Sequence, residues 1–419
     1  MQLSTEDPGG PLAATVRDFF APGQGDCLGA AVSGGGDSTA LLLLLADWAK
    51  DGGPALATVT VDHGLRPEAA DEARAVGRLA ARLGVSHEVL RWEDRAGTGN
   101  RTDRARRARY GLIAAWAARR GIGTVALGHT MNDQAETVLM RLARGSGVDG
   151  LSGMAARRVV EGVAFVRPLL GVSRAALRDF LMARGEGWSE DPTNEDEAFD
   201  RVKARRALAA LSALGLTAEG LVATAGWMAR AREVLDDTVR DLVARAGRIE
   251  AGDLVVGLPA LSSARAETRL RLVAEGLRWV TGAPYRPREE ALRRALGVLG
   301  EGRRTLHGAV MTVAQGELRI TREAAAVAGL SAVPGALWDG RWRVEGPFEP
   351  GDRIGAVGEA GLADCPGWRK AGLPRLSLLA TPGVWRGGGL IAAPVAGMGE
   401  GWRAWIAPER AWLPGPRDG

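Results

Sequence analysis

The segment that most constrains this chain is Ser-Gly-Gly-Gly-Asp-Ser at residues 33–38, which joins a short apolar run to a long aliphatic one. Residues 28–32 are apolar, as is typical of a buried parallel strand. Residues 40–49 are rich in leucine and contain neither glycine nor proline, which predicts a helix packed on the sheet. A strand, a glycine-rich turn and a buried helix in this order are typical of an α/β domain.

The composition of this turn predicts a phosphate-binding loop. Its three glycines let backbone N–H groups approach a ligand, and the N-terminus of the following helix favours an anion. Ser33 and Ser38 can donate their hydroxyl hydrogens to phosphate oxygens. A kinase-type loop would carry a lysine, but Asp37 stands here, and an acid among phosphates is explained if it holds Mg²⁺. The alternative is a glycine-rich turn without a ligand.

Length and composition set broad limits on the class of protein. A chain of 419 residues has room for two or three domains. No apolar run reaches about 18 residues, so no membrane span is expected, and the acidic N-terminal segment lacks a signal pattern, so we expect a cytoplasmic protein. Cys27 and Cys365 are the only cysteines, which argues against a disulfide framework, a zinc site or an iron–sulfur cluster.

The basic residues are almost all arginine, since Lys50, Lys203 and Lys370 are the only lysines among 54 basic side chains. GC-rich coding explains much of this overall bias. Two local clusters, at residues 101–109 and 201–206, nevertheless suit phosphate, because guanidinium groups bind phosphate through two parallel hydrogen bonds. These clusters predict a nucleic-acid partner; the alternative is a solvated helix face.

The order of predicted elements indicates three domains. The first half alternates strand and helix, which predicts a doubly wound, mostly parallel sheet with its ligand at the carboxyl ends of the strands. A mainly helical domain and a small β-rich domain with seven of the 13 tryptophans follow. We expect those tryptophans to fill a core rather than to stack on bases. The predicted domains are residues 1–212, 213–323 and 336–419.

Five further segments carry motifs in a specific order and spacing. They are Val-Asp-His-Gly-Leu-Arg at 61–66, Ala-Arg-Arg-Ala-Arg-Tyr at 105–110, Gly-His-Thr-Met-Asn-Asp-Gln-Ala-Glu-Thr at 128–137, Arg-Pro-Leu-Leu at 167–170 and Trp-Ser-Glu-Asp-Pro-Thr-Asn at 188–194. With the loop at 33–38, these motifs resemble the PP-loop (N-type) ATP pyrophosphatases and, within them, the tRNA(Ile)-lysidine synthase family. The resemblance is continuous over residues 28–206, looser over 215–323 and weakest after 335. Three positions depart from the family pattern: Thr130, Asn132 and Val202.

The resemblance implies a Rossmann-like PP-loop domain and an ATP-dependent carbon–nitrogen ligase. In that family ATP and Mg²⁺ serve to adenylate the C2 oxygen of cytidine 34 in the CAU anticodon of tRNA(Ile). Free L-lysine then displaces AMP to form lysidine, which changes the specificity of the tRNA from Met/AUG to Ile/AUA. The resemblance also leaves room for a homodimer, and it implies a middle domain that recognises the tRNA.

Three other functions compete with this one. A tRNA thiolase would use the same ATP chemistry but generally needs paired cysteines. An amidotransferase-type ligase needs a glutaminase half, for which there is no room. A non-catalytic binder of tRNA or nucleotide would not need the carboxylates of Asp37 and Asp133.

The matching motifs assign roles to individual residues. ATP binding is expected of Ser33, Gly34, Gly35, Gly36, Asp37, Ser38, Asp62, His63 and His129. Binding of tRNA or substrate is expected of Arg106, Arg109, Asn194, Arg201 and Arg205. Catalytic roles are expected of Asp37, which would also hold Mg²⁺, and of Asp133, Arg106 and Arg205. Asp133 would assist loss of the lysine proton or hold a metal ion. As alternatives, Asp62 caps the next helix, and His129 is a histidine satisfied beside the sheet.

Overall fold

The computed structural model describes residues 9–20, 25–62, 64, 69–92, 101–190, 200–297 and 302–408. The chain divides into two compact units, one within residues 1–232 and the other within residues 233–414. We call them unit one and unit two. The three domain boundaries stay a prediction.

Unit one alternates helices and strands around one sheet. Its elements are α1 Gly9–Phe19, β1 Cys27–Ala31, α2 Gly36–Lys50, β2 Ala55–Asp62, α3 Ala69–Leu83, β3 Ser86–Arg91, α4 Arg101–Arg119, β4 Thr124–Leu127, α5 Met131–Ala143, α6 Val148–Leu151, β5 Arg157–Val160, β6 Val163–Val166, α7 Arg174–Ala183, α8 Asp200–Leu211 and α9 Ala218–Ala246, whose C-terminal part belongs to unit two. A short 3₁₀ helix at Ser212–Leu214 follows α8.

The sheet of unit one has the strand order β3-β2-β1-β4-β6-β5. All neighbouring pairs are parallel except the hairpin of β5 and β6. This confirms the predicted mostly parallel, doubly wound sheet. The predicted hairpin turn at Glu161 and Gly162 is also confirmed, and both residues have positive φ, 51° and 81°, as a two-residue hairpin turn requires. The chain order reverses between β1 and β4, and such a crevice is where ligands bind in open α/β sheets.

The core of unit one is centred on α2. Residues 40–46 of this helix are all buried, because the helix lies between the sheet and two other helices. Leu12, Val16 and Phe20 belong to the same hydrophobic cluster, as do Leu177 and Phe180 of α7. The leucine run therefore fixes the start of α2, and with it the loop at residues 33–38, against a rigid base.

Unit two contains more strands than predicted. Its elements are β7 Gly247–Glu250, β8 Asp253–Gly257, α10 Leu258–Ser263, α11 Ala266–Thr281, α12 Glu289–Gly297, β9 Gly302–Leu306, β10 Ala309–Ala314, β11 Glu317–Arg322, α13 Ala324–Val327, β12 Ser331–Ala332, β13 Trp342–Glu345, β14 Arg353–Ala356, α14 Gly358–Ala363, α15 Arg375–Leu379, β15 Pro382–Arg386, β16 Gly389–Ala392 and β17 Arg403–Ile406. Short 3₁₀ helices lie at Trp368–Ala371 and Pro394–Ala396.

The strands of unit two form antiparallel sheets. The first has the order β7-β8-β11-β10-β9, the second β12-β14-β15-β16, and β13 pairs with β17. Strands β7 and β8 were not predicted. Helix α11 shares a core with the first sheet. Trp338 and Trp342 are nearly fully buried, which confirms the core-filling role predicted for tryptophan at these two positions.

Among the described helices, none is by itself long and apolar enough to cross a membrane. The pair formed by residues 200–214 and 218–246, bent by 99°, reaches that length and composition only when both are counted together.

A buried carboxylate joins three elements of unit two. Oδ2 of Asp253 on β8 accepts hydrogen bonds from Arg319 Nη1 at 2.9 Å, from Thr321 Oγ1 at 3.0 Å and from Ser377 Oγ on α15. Complete burial outweighs these contacts and raises the pKa of Asp253 to about 6. The charged groups that face this cluster are Arg319, its second partner Glu250, and Arg341.

We expect Asp253 to make the stability of the protein depend on pH. Its pKa is about 6 in the folded protein and 3.8 when unperturbed, so the folded state binds this proton more tightly. The free energy of unfolding should therefore fall as the pH rises from about 4 to about 7. The separation of the two pKa values corresponds to a loss of about 3 kcal/mol.

Denaturant unfolding of the wild type and of Asp253→Asn between pH 4 and pH 7.5 measures this contribution. The difference in stability between the two should shift in favour of the variant as the pH rises. Glu359→Gln, which removes a surface carboxylate paired with Arg375, is the control. Parallel pH profiles for the wild type and Asp253→Asn would contradict the expectation.

Candidate functional site

Two serines hold the loop at residues 33–36 in shape. Ser38 Oγ donates to the Gly35 carbonyl at 2.9 Å and accepts from the Ser33 N–H at 3.2 Å, and the two serine hydroxyls lie 3.2 Å apart. Gly34 has a φ of +91°, which a residue with a side chain rarely adopts. Gly35 is the N-cap of α2 and supplies no side-chain cap. In the described structure the first turn of α2 thus presents N–H groups that suit an anion.

Gly128, directly after β4, brings a second segment against this loop. A Cβ at Gly128 would lie 2.9 Å from Ser38 Cα and 3.0 Å from Ser38 N, so only glycine fits here without a shift of the backbone. The close approach places His129 and the N-terminus of α5 beside the loop. Backbones from both sides of the β1–β4 crevice thus form one site.

The N-terminus of α5 orients Asp133 through a capping box. Thr130 N–H and Thr130 Oγ1 both donate to Asp133 Oδ2 at 2.9 Å, and the Asp133 N–H donates to Thr130 Oγ1 at 3.4 Å. Burial raises the pKa of Asp133, but the Thr130 N–H and the charges of Arg174 and Arg201 outweigh it and hold that pKa below its usual range. Asp133 is therefore ionised at neutral pH and is a weak base. Thr130, a departure from the family pattern, is the cap.

Arg174, at the start of α7, bridges the carboxylates of two other helices. Its Nε donates to Asp37 Oδ2 at 3.1 Å, and its Nη2 donates to Asp133 Oδ1 at 3.3 Å. Burial raises the pKa of Asp37, although the Arg174 charge lowers it. The two predicted catalytic aspartates are thus brought together, and a guanidinium that the sequence motifs did not single out lies between them.

The backbone of Arg174 is anchored to α5. Its N–H donates to Asn132 Oδ1 at 2.8 Å, and the Met131 N–H donates to the Val172 carbonyl at 2.9 Å. Ser173 caps α7 by accepting from the Ala176 N–H. Asn132 therefore fixes the start of α7 relative to the start of α5. Val202, the third departure, is buried in α8.

Glu136 follows Asp133 by three residues on α5, so both carboxylates lie on one face of the helix. Glu136 is 1% exposed. Its Oε1 accepts from Arg205 Nε at 3.0 Å and lies 3.7 Å from Arg174 Nη1. Its Oε2 is buried without a hydrogen-bond partner among the described residues. The motif at 128–137 contained this residue, and its spacing was the signal that could have found it.

Arginines crowd the same end of the sheet. Arg201 Nη1 lies 3.6 Å from Asp133 Oδ1. Much of Arg109 is exposed by surface area, but its guanidinium lies among many neighbours. This environment lowers its pKa, and the positive charges of Arg106 and Arg201 lower it further. Arg106 itself is exposed on α4. A group of positive charges at one end of the sheet suits an anionic ligand.

Burial and a neighbouring buried arginine keep His129 neutral. Arg167 is 3% exposed and donates to Tyr110 Oη at 3.0 Å and to the Ala155 carbonyl at 2.7 Å. Burial lowers the pKa of His129 to about 3, and the Arg167 charge adds to this effect. His129 is therefore a neutral imidazole, and its buried Nδ1 has no partner in the described structure.

Three predicted site residues remain, and they add little to the geometry of the site. Asp62 ends β2, and its Oδ1 accepts from the Gly64 N–H at 2.8 Å, so this carboxylate caps the turn directly after the strand. His63 and Asn194 lie outside the described residues.

The donor set suits a magnesium ion that is shared with phosphates. Asp37 and Asp133 offer the carboxylate oxygens that this ion prefers, and Mg²⁺ is usually held by one or two carboxylates plus substrate phosphates. Within the described residues, no group of three or more histidine, cysteine or acidic side chains forms a metal cage. A magnesium ion whose other ligands are phosphate oxygens and water does not need such a cage.

Comparisons with known proteins find relatives along most of this chain. Residues 11–211 match the PP-loop domain family. The tRNA(Ile)-lysidine synthase of Ruegeria pomeroyi is 49% identical over 398 residues, which cover 94% of this chain and 94% of that protein. The tRNA(Ile)-lysidine synthase of Mesorhizobium japonicum is 39% identical over 369 residues, which cover 84% of this chain and 81% of that protein.

Among solved structures, a U34-tRNA thiolase from Methanococcus maripaludis has a TM-score of 0.46 and 16% identity. The match covers 52% of this chain and 77% of that one. This likeness is too weak to decide function. The sequence relatives match along nearly the whole length of both chains, and this chain therefore belongs to the tRNA(Ile)-lysidine synthase family.

Proposed function

We propose that this chain ligates L-lysine to cytidine 34 in the CAU anticodon of tRNA(Ile). The observation that carries the proposal is the 49% identity to the Ruegeria pomeroyi synthase over 94% of both chains. The uncapped N-terminus of α2 supports it, because it suits the phosphates of the ATP that PP-loop enzymes use.

The reaction has two steps. The C2 oxygen of cytosine attacks the α-phosphorus of ATP, the bond to the bridging oxygen breaks, and pyrophosphate leaves. The ε-amine of lysine then attacks C2, and the C2–O bond breaks so that AMP carries that oxygen away. The amine must lose a proton before it attacks, since its pKa in water is about 10.4. Lysidine pairs with A instead of G.

The PP-loop residues act on the phosphates. The first-turn N–H groups of α2 would bind phosphate oxygens, with Ser33 and Ser38 holding the loop in shape. Asp37, one residue into this helix, is the proposed ligand for Mg²⁺. When bound, this ion would neutralise charge on the leaving pyrophosphate.

The role that we propose for Asp133 is to bind a cation. The hydrogen bond from Thr130 N–H and the nearby arginines keep its pKa low despite burial, so a proton is not readily taken up there. Of the two roles considered for Asp133, this environment favours binding a cation over acting as a general base.

The arginines bind the anionic parts of the substrates. Arg106 and Arg109 on α4 and Arg201 and Arg205 on α8 all carry charge toward the end of the sheet where β1 and β4 separate. Guanidinium groups there would grip phosphates of tRNA or of the adenylated intermediate. The ATP-binding roles of Asp62, His63 and His129 and the tRNA-binding role of Asn194 stay predictions.

A thiolase function is disfavoured by the state of the cysteines. Burial raises the pKa of both Cys27 and Cys365, whereas a sulfur carrier needs an accessible thiolate. The two cysteines also belong to different units of the chain. We further propose a cytoplasmic enzyme, with tRNA contacts supplied by residues 213–323.

The proposed activity has a direct test. We expect ATP- and Mg²⁺-dependent incorporation of labelled lysine into a tRNA(Ile) transcript with a CAU anticodon. A tRNA(Met) transcript, which has the same anticodon, should stay unlabelled. Release of pyrophosphate without incorporation of lysine would retain the ATP chemistry and reject lysine as the nucleophile.

We expect Arg205→Met to lower the turnover of lysine incorporation by about 10²-fold or more, which is typical of removing one group that stabilises transition-state charge. Arg74→Met removes an exposed arginine that pairs with Asp71 on α3, outside both basic clusters, and is the matched control. Circular dichroism should show the same helix content in both variants. Equal turnover in the two variants would contradict the assigned role.

We expect binding of tRNA to weaken steeply with salt, because phosphate contacts release counterions. The slope of log affinity against log salt concentration should be about −0.7 to −0.9 for each phosphate neutralised. Filter binding of tRNA(Ile) between 50 and 300 mM salt, about the range in which such effects are large, measures it. An affinity that does not change with salt concentration would argue against a surface that binds the phosphate backbone of the tRNA.

A further inference from the structure

Arg174 contacts all three carboxylates of the site with one guanidinium. Its Nε lies 3.1 Å from Asp37 Oδ2, its Nη2 lies 3.3 Å from Asp133 Oδ1, and its Nη1 lies 3.7 Å from Glu136 Oε1. We propose that Arg174 occupies the cation position between Asp37 and Asp133 and competes with a divalent metal ion for it. The inference rests on the proposed function, since the metal concerned is the one that would accompany ATP.

The three carboxylates need a cation where they meet. Their side chains are 21%, 11% and 2% exposed for Asp37, Asp133 and Glu136. Carboxylates that are close together and poorly solvated repel one another unless a positive charge lies between them. Arg174 supplies that charge from a third helix, so α2, α5 and α7 meet at one ion-pair network.

The other arginines do not replace Arg174. Arg201 pairs with Asp133, and Arg205 pairs with Glu136. In the described structure the ion pair of Asp37 is with Arg174. A metal ion that binds to Asp37 must therefore compete with the Arg174 guanidinium for this carboxylate.

The side chain of Arg174 can leave while its backbone stays. The backbone N–H is held by Asn132 Oδ1 at 2.8 Å, and α7 packs on α2. The side chain is 21% exposed, so the guanidinium has a path toward solvent. Exchange of a guanidinium for a divalent ion keeps positive charge between the aspartates, which makes Arg174 a positioning residue for both of them.

Binding of Mn²⁺ to the full-length protein tests the competition. The titration is followed by electron paramagnetic resonance or calorimetry, without ATP, tRNA or lysine. We expect Arg174→Met to bind Mn²⁺ at least tenfold more tightly than the wild type. Arg184→Met removes the same charge at the other end of α7, where Arg184 pairs with Asp47, and it should bind Mn²⁺ as the wild type does.

Two further variants test whether the gain in Mn²⁺ affinity depends on Asp37 and on the charge at position 174. Arg174→Met combined with Asp37→Asn should lose the tighter binding, because one of the two proposed ligands is then neutral. Arg174→Lys keeps the charge but cannot reach three carboxylates, so its affinity for Mn²⁺ should lie between those of the wild type and Arg174→Met. If Arg174→Met does not fold, the Arg174→Lys titration alone decides the matter.

The proposal is overturned if folded Arg174→Met, or Arg174→Lys in its place, binds Mn²⁺ no more tightly than the wild type. It is also overturned if Arg184→Met shows the same gain. Lysine incorporation by the wild type is measured separately. Tighter Mn²⁺ binding without lysine incorporation would reject the proposed function and retain the competition at Arg174.

Discussion

The close contact between Gly128 and the start of α2 is the constraint on which the site depends. It lets the segment after β4 lie against the phosphate loop, where any side chain would collide with Ser38. As a result, a helix end that suits an anion and a group of carboxylates share one wall of the crevice. ATP with its proposed counterion would use both at once. The leucine-rich core beneath α2 keeps this wall in place.

Each of the two units contains a cluster of buried charged side chains. Within the described residues, unit one holds acidic side chains of α2 and α5 against arginines of α7 and α8. Unit two holds Asp253 against Arg319 and two hydroxyl groups. Such clusters contribute little net stability, because desolvation offsets the attraction. In unit one these clusters lie where the substrates are expected to bind. Their presence is therefore better explained by substrate binding than by a contribution to stability.

Local patterns made much of this structure predictable. The loop at 33–38, the alternation of strands and helices and the hairpin at Glu161 each depend on neighbours within a few residues, and all three are present. Asp37 and Asp133 could be named because motifs contain them. That the two lie close together follows from the rule that the carboxyl ends of parallel strands share one edge of the sheet.

What escaped prediction depends on packing between distant segments. Arg174 belongs to a plain helix start, and its importance comes from the crossing of α7 with α2 and α5. Asn132 and Thr130 differ from the family pattern, yet one holds the backbone of Arg174 and the other caps α5. Strand β8 pairs with β11, which lies much later in the chain. Tertiary contacts, rather than local propensity, decided the role of Arg174 and the pairing of β8.

The capping box at Thr130 has a consequence for ion selectivity. One carboxylate oxygen of Asp133 is already committed to the N–H and hydroxyl of Thr130, so the carboxylate faces the site with a single oxygen. Calcium readily takes both oxygens of a carboxylate in large, flexible shells, whereas magnesium favours compact octahedral ones. In the proposed role of metal ligand, this aspartate would therefore offer one oxygen, which suits the smaller ion.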